Sequence, residues 1–368
     1  MASSSVVDAP ELLRAQRASV VAGWPRREPS RFGFSVPRHW LSDLGCNPHA
    51  EAAPSRVLEW LSGLGCSPEE LVRTEQFDVA GYVGIAFPLA PPDRVLVLAK
   101  YVSLWLLWDD VHVESGASRW RLDARVLDEP SPPASFSRFD RGWWELFREL
   151  GQRRSRGWIS SLCNAMQTWD DAAASEAQMF RRFAATGELP AFNVQLELRC
   201  ATIGMAPTIC LLEDMHGHEL PASFHGLPAV QRLKWLAGLL VGIGNDVFSL
   251  GKDLTEGQPN LASNLISNSG LSAPDAIAQL IQLHDESVLE LDRLAATLPG
   301  PDPHIERWLR ALRFATLGFT LWESQAPRYA TWRVTVGDKV IEPTIRVFPE
   351  VPDPIRVDVA HSPEPLSM

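Results

Sequence analysis

The chain places carboxylates close together in Trp108-Asp109-Asp110-Val111-His112-Val113-Glu114, at the end of its most hydrophobic stretch. In a helix each residue advances about 100°, so Asp110 and Glu114 share a face and Asp109 lies beside them. Crowded carboxylates repel one another and are costly to desolvate, and hard divalent cations relieve both penalties. Mg²⁺ takes oxygen donors and is commonly shared between one or two carboxylates and a phosphate. The same run also reads as a solvated acidic helix end, and Asp-Asp alone does not decide between the two.

A second polar set follows at Asn245, Ser249 and Asp253, with positions i, i+4 and i+8. Across the three the helix face drifts by only about 80°, so an amide oxygen, a hydroxyl and a carboxylate can converge on one hard cation. A plain polar helix face is the alternative. However, the neighbours Leu239, Leu240, Val241, Ile243, Val247, Phe248 and Leu250 are apolar. A polar stripe buried on such a helix without a partner is costly, which favours a functional reading.

Basic and aromatic residues lie near these sets. Arg199 sits in an apolar helical segment ahead of Gly204 and Pro207, Lys252 falls inside the second set, and Arg328-Tyr329 ends the last helical segment. Arg grips phosphate oxygens in pairs and Tyr can donate one more hydrogen bond, although each residue alone is more often a surface or helix-end group. Fourteen Trp is high, and Trp105, Trp108, Phe248, Phe319 and Trp322 fall near the polar sets. Their faces can stabilise cations, but most such residues simply fill cores. His216 and His218 have no recognisable third ligand and read as solvent-facing loop residues rather than a transition-metal site.

Positioning these groups requires helices. Apolar periodicity predicts helices over 56–65, 94–108, 141–150, 158–184, 190–213, 227–253, 273–297 and 302–326, with Pro207 kinking the fifth. Alternating strand patterns are scarce before the tail, and no repeat of 20–50 residues is visible. The expected fold is all-α, a single bundle of long helices. Residues 1–30 mix small, charged and Pro residues and are expected to be flexible. The helical domain is expected over 31–332. Residues 333–368 form a Pro- and Val-rich extension, either disordered or lying over the domain as an extended strap.

The 368 residues carry 34 Lys plus Arg against 45 Asp plus Glu, a net charge of −11. That sign argues against nucleic-acid binding, and an anionic substrate would need recruited cations or a local focus of Arg and Lys. Hydrophobic residues at 45% and charged residues at 21% exclude wholesale disorder. Five cysteines without a CxxC pair read as buried free thiols in a reducing cytosol. No membrane span or signal peptide is recognised, so the expected compartment is the cytoplasm.

Taken together, the motifs resemble those of bacterial class I terpene synthases. The aspartate-rich motif is Asp109-Asp110-x-x-x-Glu114, and Asn245-Asp246-x-x-Ser249-x-x-x-Asp253 resembles the second metal motif. Arg199 stands where that family keeps its diphosphate-sensing Arg, and Trp322 with Arg328-Tyr329 resembles the family's C-terminal W-x5-RY pattern. The second motif ends in Asp253 where Glu is commoner, and Gly204 falls one position later than usual.

The resemblance implies the α-helical terpenoid-synthase fold around a central apolar cavity, three Mg²⁺ ions (with Mn²⁺ as a substitute) and a prenyl diphosphate substrate. It implies metal ligation by Asp109, Asp110, Glu114, Asn245, Ser249 and Asp253. Diphosphate binding falls to Arg199, Lys252, Arg328 and Tyr329. Trp322 would stabilise carbocations, and Trp105, Phe248, Thr202 and Gly204 would line the cavity. Farnesyl diphosphate is the favoured substrate, with geranylgeranyl diphosphate second. A non-catalytic prenyl-diphosphate-binding protein and a chain-elongating prenyltransferase are the competing readings; the second would be expected to carry another DDxxD motif. Homodimerisation is left open.

Overall fold

A computed structural model of the chain describes residues 31–40, 45–110, 120, 122–298, 302–323, 326, 334–336, 339–347 and 355–362. Residues 1–30, and with them the expected flexible leader, lie outside the described residues. Thirteen helices run in order among these residues: α1 (Ala53–Leu64), α2 (Pro68–Glu75), α3 (Val79–Ala86), α4 (Pro92–Trp108), α5 (Arg138–Gly151), α6 (Arg156–Thr186), α7 (Phe192–Thr202), α8 (Met205–His216), α9 (Ala222–His225), α10 (Pro228–Glu256), α11 (Leu261–Ser269), α12 (Ala273–Ala296) and α13 (Pro303–Glu323).

Side-chain oxygens start several of these helices by satisfying orphan N–H groups. Ser67 with Glu70 opens α2, Ser137 with Asp140 opens α5, and Asn260 with Ser263 opens α11, each as a reciprocal capping box. Around the long α10 pack α7, α8, α11, α12 and α13. By length and composition α10 could cross a membrane, but 83% of that apolar window is buried inside the protein, so its composition is that of a core helix.

The predicted helix over 190–213 is two helices. The break falls at Ile203–Gly204 rather than as a kink at Pro207, because Gly204 takes φ +80°. The left-handed conformation ends α7 at little steric cost only for glycine. Pro207 then sits in the first turn of α8, where its missing N–H is no loss. The short α2, α3 and α11 were not anticipated.

Over its described residues the tail runs as strands. Strands β1 (Arg31–Val36), β2 (Val334–Val336), β3 (Lys339–Val347) and β4 (Ile355–Ser362) form an antiparallel sheet in the order β1-β4-β3-β2. Arg31 pairs with Ala360 and Val36 with Ile355, so the sheet joins the two ends of the described chain. β1 rests on α12, where the Ser35 N–H donates to Asp285 Oδ1 at 2.7 Å and the Phe34 ring lies 4.3 Å from that of His284. The fold is thus an all-α domain with a small sheet added beside α12.

Candidate active site

Between α4, α6, α7, α10 and α13 lies a cavity of about 530 Å³. Asp109, just past α4, reaches it, as do Asn245, Ser249, Lys252 and Asp253 of α10 and Arg199 of α7. Asp109 and the α10 set, far apart in the chain, therefore line one cavity. Tyr82, Trp105, Phe319 and Trp322 supply aromatic walls, and Ala173, Ala177, Ile203, Met205 and Val241 supply aliphatic ones.

Asp109 and Asp110 continue from α4 through a π-type turn, a widening found often at functional sites. Asp110 is half-buried and does not line the cavity. Glu114, Arg328 and Tyr329 lie outside the described residues.

Arg199 ties the second set together. Its Nε donates to Asp246 Oδ1 at 2.7 Å and its Nη2 to Asn245 Oδ1 at 2.5 Å, while Nη1 lies 3.9 Å from Glu176 Oε1. Burial opposes the guanidinium charge, but the Asp246 and Glu176 carboxylates outweigh it and hold its pKa above the ordinary value. Thr202 Oγ1 donates to the other side of this network, at Glu176 Oε1, 2.8 Å away.

Asp246, the second residue of the Asn-Asp motif, is only 1% exposed. It accepts from Arg199 and also from the Leu261 N–H at 2.8 Å, capping the start of α11. It is therefore a structural anchor for Arg199. Ser249 Oγ donates to Asp253 Oδ2 at 2.5 Å, and Asn260 Nδ2 donates to the same oxygen at 2.9 Å. Burial, with the nearby Asp246 charge second, pushes the Asp253 carboxyl up to about 6.

Sequence reasoning missed Glu323, the last residue of α13. It lines the cavity, is 3% exposed and accepts from Asn245 Nδ2 at 2.9 Å through Oε1, while its Oε2 is buried without a hydrogen-bond partner. Burial above all pushes its carboxyl up to about 8. The only signal in the sequence is an acidic residue closing the apolar run Leu317–Trp322. Glu176 and Arg181 of α6 were also missed, since they follow a helical period no different from that of an ordinary solvated face.

Four residues were expected in the cavity wall. Trp105 and Thr202 line it. Gly204 does not, but supports Trp105 from behind: a Cβ there would fall 1.7 Å from the indole Cη2. Phe248 is a correction. It is buried away from the cavity, with its ring 5.8 Å from that of Phe34 beneath β1. Phe248 points about 100° away from the adjacent Ser249 around the helix, on the side of the α10 set that faces the core.

Trp322 presents its ring to the cavity while its indole N–H donates to the Asp78 carbonyl at 3.2 Å and its edge meets Tyr82. His216 differs from expectation as the half-buried last residue of α8, whereas His218 is an exposed loop residue, with its ring stacked on His304 at 3.5 Å. Of the cysteines only Cys163 is fully buried, and Cys46 is exposed.

Among the described residues no three His, Cys, Asp or Glu side chains converge as a ready metal cage. The oxygen donors in the lining include an amide, a hydroxyl and a carboxylate on α10 and Asp109 just past α4. That donor chemistry suits a hard cation completing its shell with water and phosphate oxygens. Carboxyl groups lining the cavity also outnumber its cations: Asp109, Glu176, Asp246, Asp253, Glu256 and Glu323 against Arg181, Arg199 and Lys252. Added positive charge would relieve that imbalance.

A family model described as "Terpene synthase family 2, C-terminal metal binding" matches residues 100–290. Spiroviolene synthase of Streptomyces violens is 28% identical over 270 residues, covering 65% of this chain and 69% of that one. The (+)-T-muurolol synthase of Streptomyces clavuligerus, named as cyclizing (2E,6E)-farnesyl diphosphate, is 28% identical over 194 residues, covering 48% of this chain and 44% of its own. The crystal structure of a linalool/nerolidol synthase from Streptomyces clavuligerus superimposes with a TM-score of 0.66 at 20% identity, covering 77% of this chain and 99% of that one, a likeness of fold.

Proposed function

This chain belongs to the terpene synthase family and is a terpene cyclase by descent, and from that premise we propose that it ionises a linear prenyl diphosphate with Mg²⁺ and cyclises the resulting carbocation. Farnesyl diphosphate is the proposed substrate, with geranylgeranyl diphosphate second. The name of the muurolol-forming relative supports the first choice. One observation carries the reading: Asp109 and the Asn245, Ser249 and Asp253 set line a single cavity whose lining also includes the aromatic Tyr82, Trp105, Phe319 and Trp322 and the aliphatic Ile203, Met205 and Val241.

Asp109 together with Asn245, Ser249 and Asp253 would hold Mg²⁺, which would supply positive charge to stabilise the departing diphosphate. Arg199 and Lys252 donate to diphosphate oxygens from the same polar end. Asp110, Glu114, Arg328 and Tyr329 join these groups on the strength of the motifs. Donors fixed in place before reaction cost no reorganisation when charge develops on the leaving group. The apolar walls exclude water from the allylic cation left behind. Trp322, Trp105, Tyr82 and Phe319 offer ring faces to the migrating positive charge, at about 0.5–2 kcal/mol each. Proton loss or capture of one water ends the reaction.

The test is incubation of the purified protein with geranyl, farnesyl and geranylgeranyl diphosphate, with and without Mg²⁺, and gas chromatography of the extracts. A terpene hydrocarbon or alcohol formed only with the metal is expected. Intact substrates throughout would defeat the reading.

A further inference from the structure

Asn245 can ligate a cation through Oδ1 alone, because its Nδ2 carries two hydrogens and no lone pair to give. Which end of the amide faces the polar end of the cavity therefore decides whether the residue can act. Here the Arg199 guanidinium tells the two ends apart, because it has only N–H donors to offer. Nδ2 donates to Glu323 Oε1 at 2.9 Å, and Oδ1 accepts from Arg199 Nη2 at 2.5 Å. Reversal would set an NH₂ group against a guanidinium and an amide oxygen against a carboxyl oxygen, so chemistry fixes the orientation.

The geometry points to Glu323 as the residue that holds the Asn245 amide in its metal-ligating orientation. A cation can use the second lone pair of Oδ1 or displace Arg199 from it, and in either case the Glu323 contact uses the other end of the amide and can persist. The carboxyl group reaches this place because Gly244, beside Asn245 on α10, leaves a slot: a Cβ there would lie 3.3 Å from Glu323 Oε2 and 3.1 Å from Thr320 Oγ1. Burying an acidic side chain with one unpartnered oxygen is expensive for stability alone. A positioning role accounts for that expense, since side chains that orient a ligand typically alter metal affinity about 10- to 100-fold. Glu323 is thus a positioning residue, not a ligand. The inference rests on the metal-dependent reading above.

The test measures metal uptake without turnover. Mn²⁺ binding to the full-length protein with inorganic diphosphate is followed by electron paramagnetic resonance for wild type, Glu323→Leu and Glu323→Gln. Gln keeps a carbonyl oxygen able to accept from Asn245, whereas Leu removes the acceptor. Expected is a loss of affinity of about tenfold or more in Glu323→Leu, with most of it recovered in Glu323→Gln. Circular dichroism melts check folding; in turnover assays the apparent KM for Mg²⁺ should rise in Glu323→Leu while kcat at saturating metal changes much less. Unchanged Mn²⁺ affinity in a folded Glu323→Leu would overturn the positioning role alone. So would an equal loss in Glu323→Gln, which would make the charge, not the acceptor, the active feature. If Glu323→Leu does not fold, Glu323→Gln decides: near-wild-type affinity upholds the inference and a tenfold loss overturns it. No uptake by wild type would overturn the metal-dependent reading itself, and this inference with it.

Discussion

Gly204 lies directly behind Trp105: a Cβ at 204 would fall 1.7 Å from the indole Cη2, and the residue takes φ +80°. Both facts demand glycine. Gly204→Ala would strain the backbone and push the ring into the cavity, costing roughly 2 kcal/mol or more. The expected result is a lower melting temperature together with a changed product pattern. A variant with wild-type melting and products would contradict this packing.

Asn245→Leu should lower turnover by at least roughly a hundredfold and leave the helical content intact. Chelation of the wild type with EDTA should do the same, reversibly on adding Mg²⁺. Steady-state assays with circular dichroism provide the check. Normal activity in the variant would remove the α10 set from metal binding.

Arg199 contacts Asp246 with Nε and Asn245 with Nη2, a fork that a single ammonium cannot reproduce. Arg199→Lys keeps the positive charge beside the buried Asp246 and should fold. Its kcat/KM should fall by about a hundredfold. An assay showing less than a few-fold loss would mean that charge alone suffices.

Trp322→Ala removes a cavity wall rather than a diphosphate contact. The distribution of hydrocarbon products should shift more than the rate of diphosphate release. Parallel measurement of released diphosphate and chromatographic profiles separates the two.

Asp214 on α8 provides a pH test away from the cavity. Burial works to raise its pKa, but Arg153 and Arg154, each within 2.8 Å, outweigh burial and hold it below the ordinary 3.8. A depressed carboxyl contributes stability that is present above its unfolded value and lost as pH falls through the folded one. Asp214→Asn should therefore melt lower than wild type at pH 7, by roughly 3 kcal/mol of stability. The gap should close on acidification below about pH 4. A gap constant with pH would mean that the ion pairs are not its source.

Much of the helical domain was legible because a 3.6-residue apolar period survives any tertiary context that buries one face. The α10 set was legible for a related reason: polar residues four apart stand out against Leu239–Leu250. The break at Gly204 was not, because Pro207 is the stronger helix breaker in a sequence, while what settles the position is the space needed by Trp105. Phe248 was misplaced because a residue near a motif shares its sequence neighbourhood without sharing its face. Glu323 escaped because its meaning depends on Asn245, which is 78 residues away. The sheet escaped because pairing between Arg31–Val36 and Ile355–Ser362 leaves no local mark.

That pairing has a consequence for biogenesis. β1 emerges from the ribosome long before β4 has been translated, and it can pair fully only once β4 has emerged as well. Until then its hydrogen-bonding edge stays available to other chains, so slow translation or crowding should penalise yield even though the helices between can assemble by themselves.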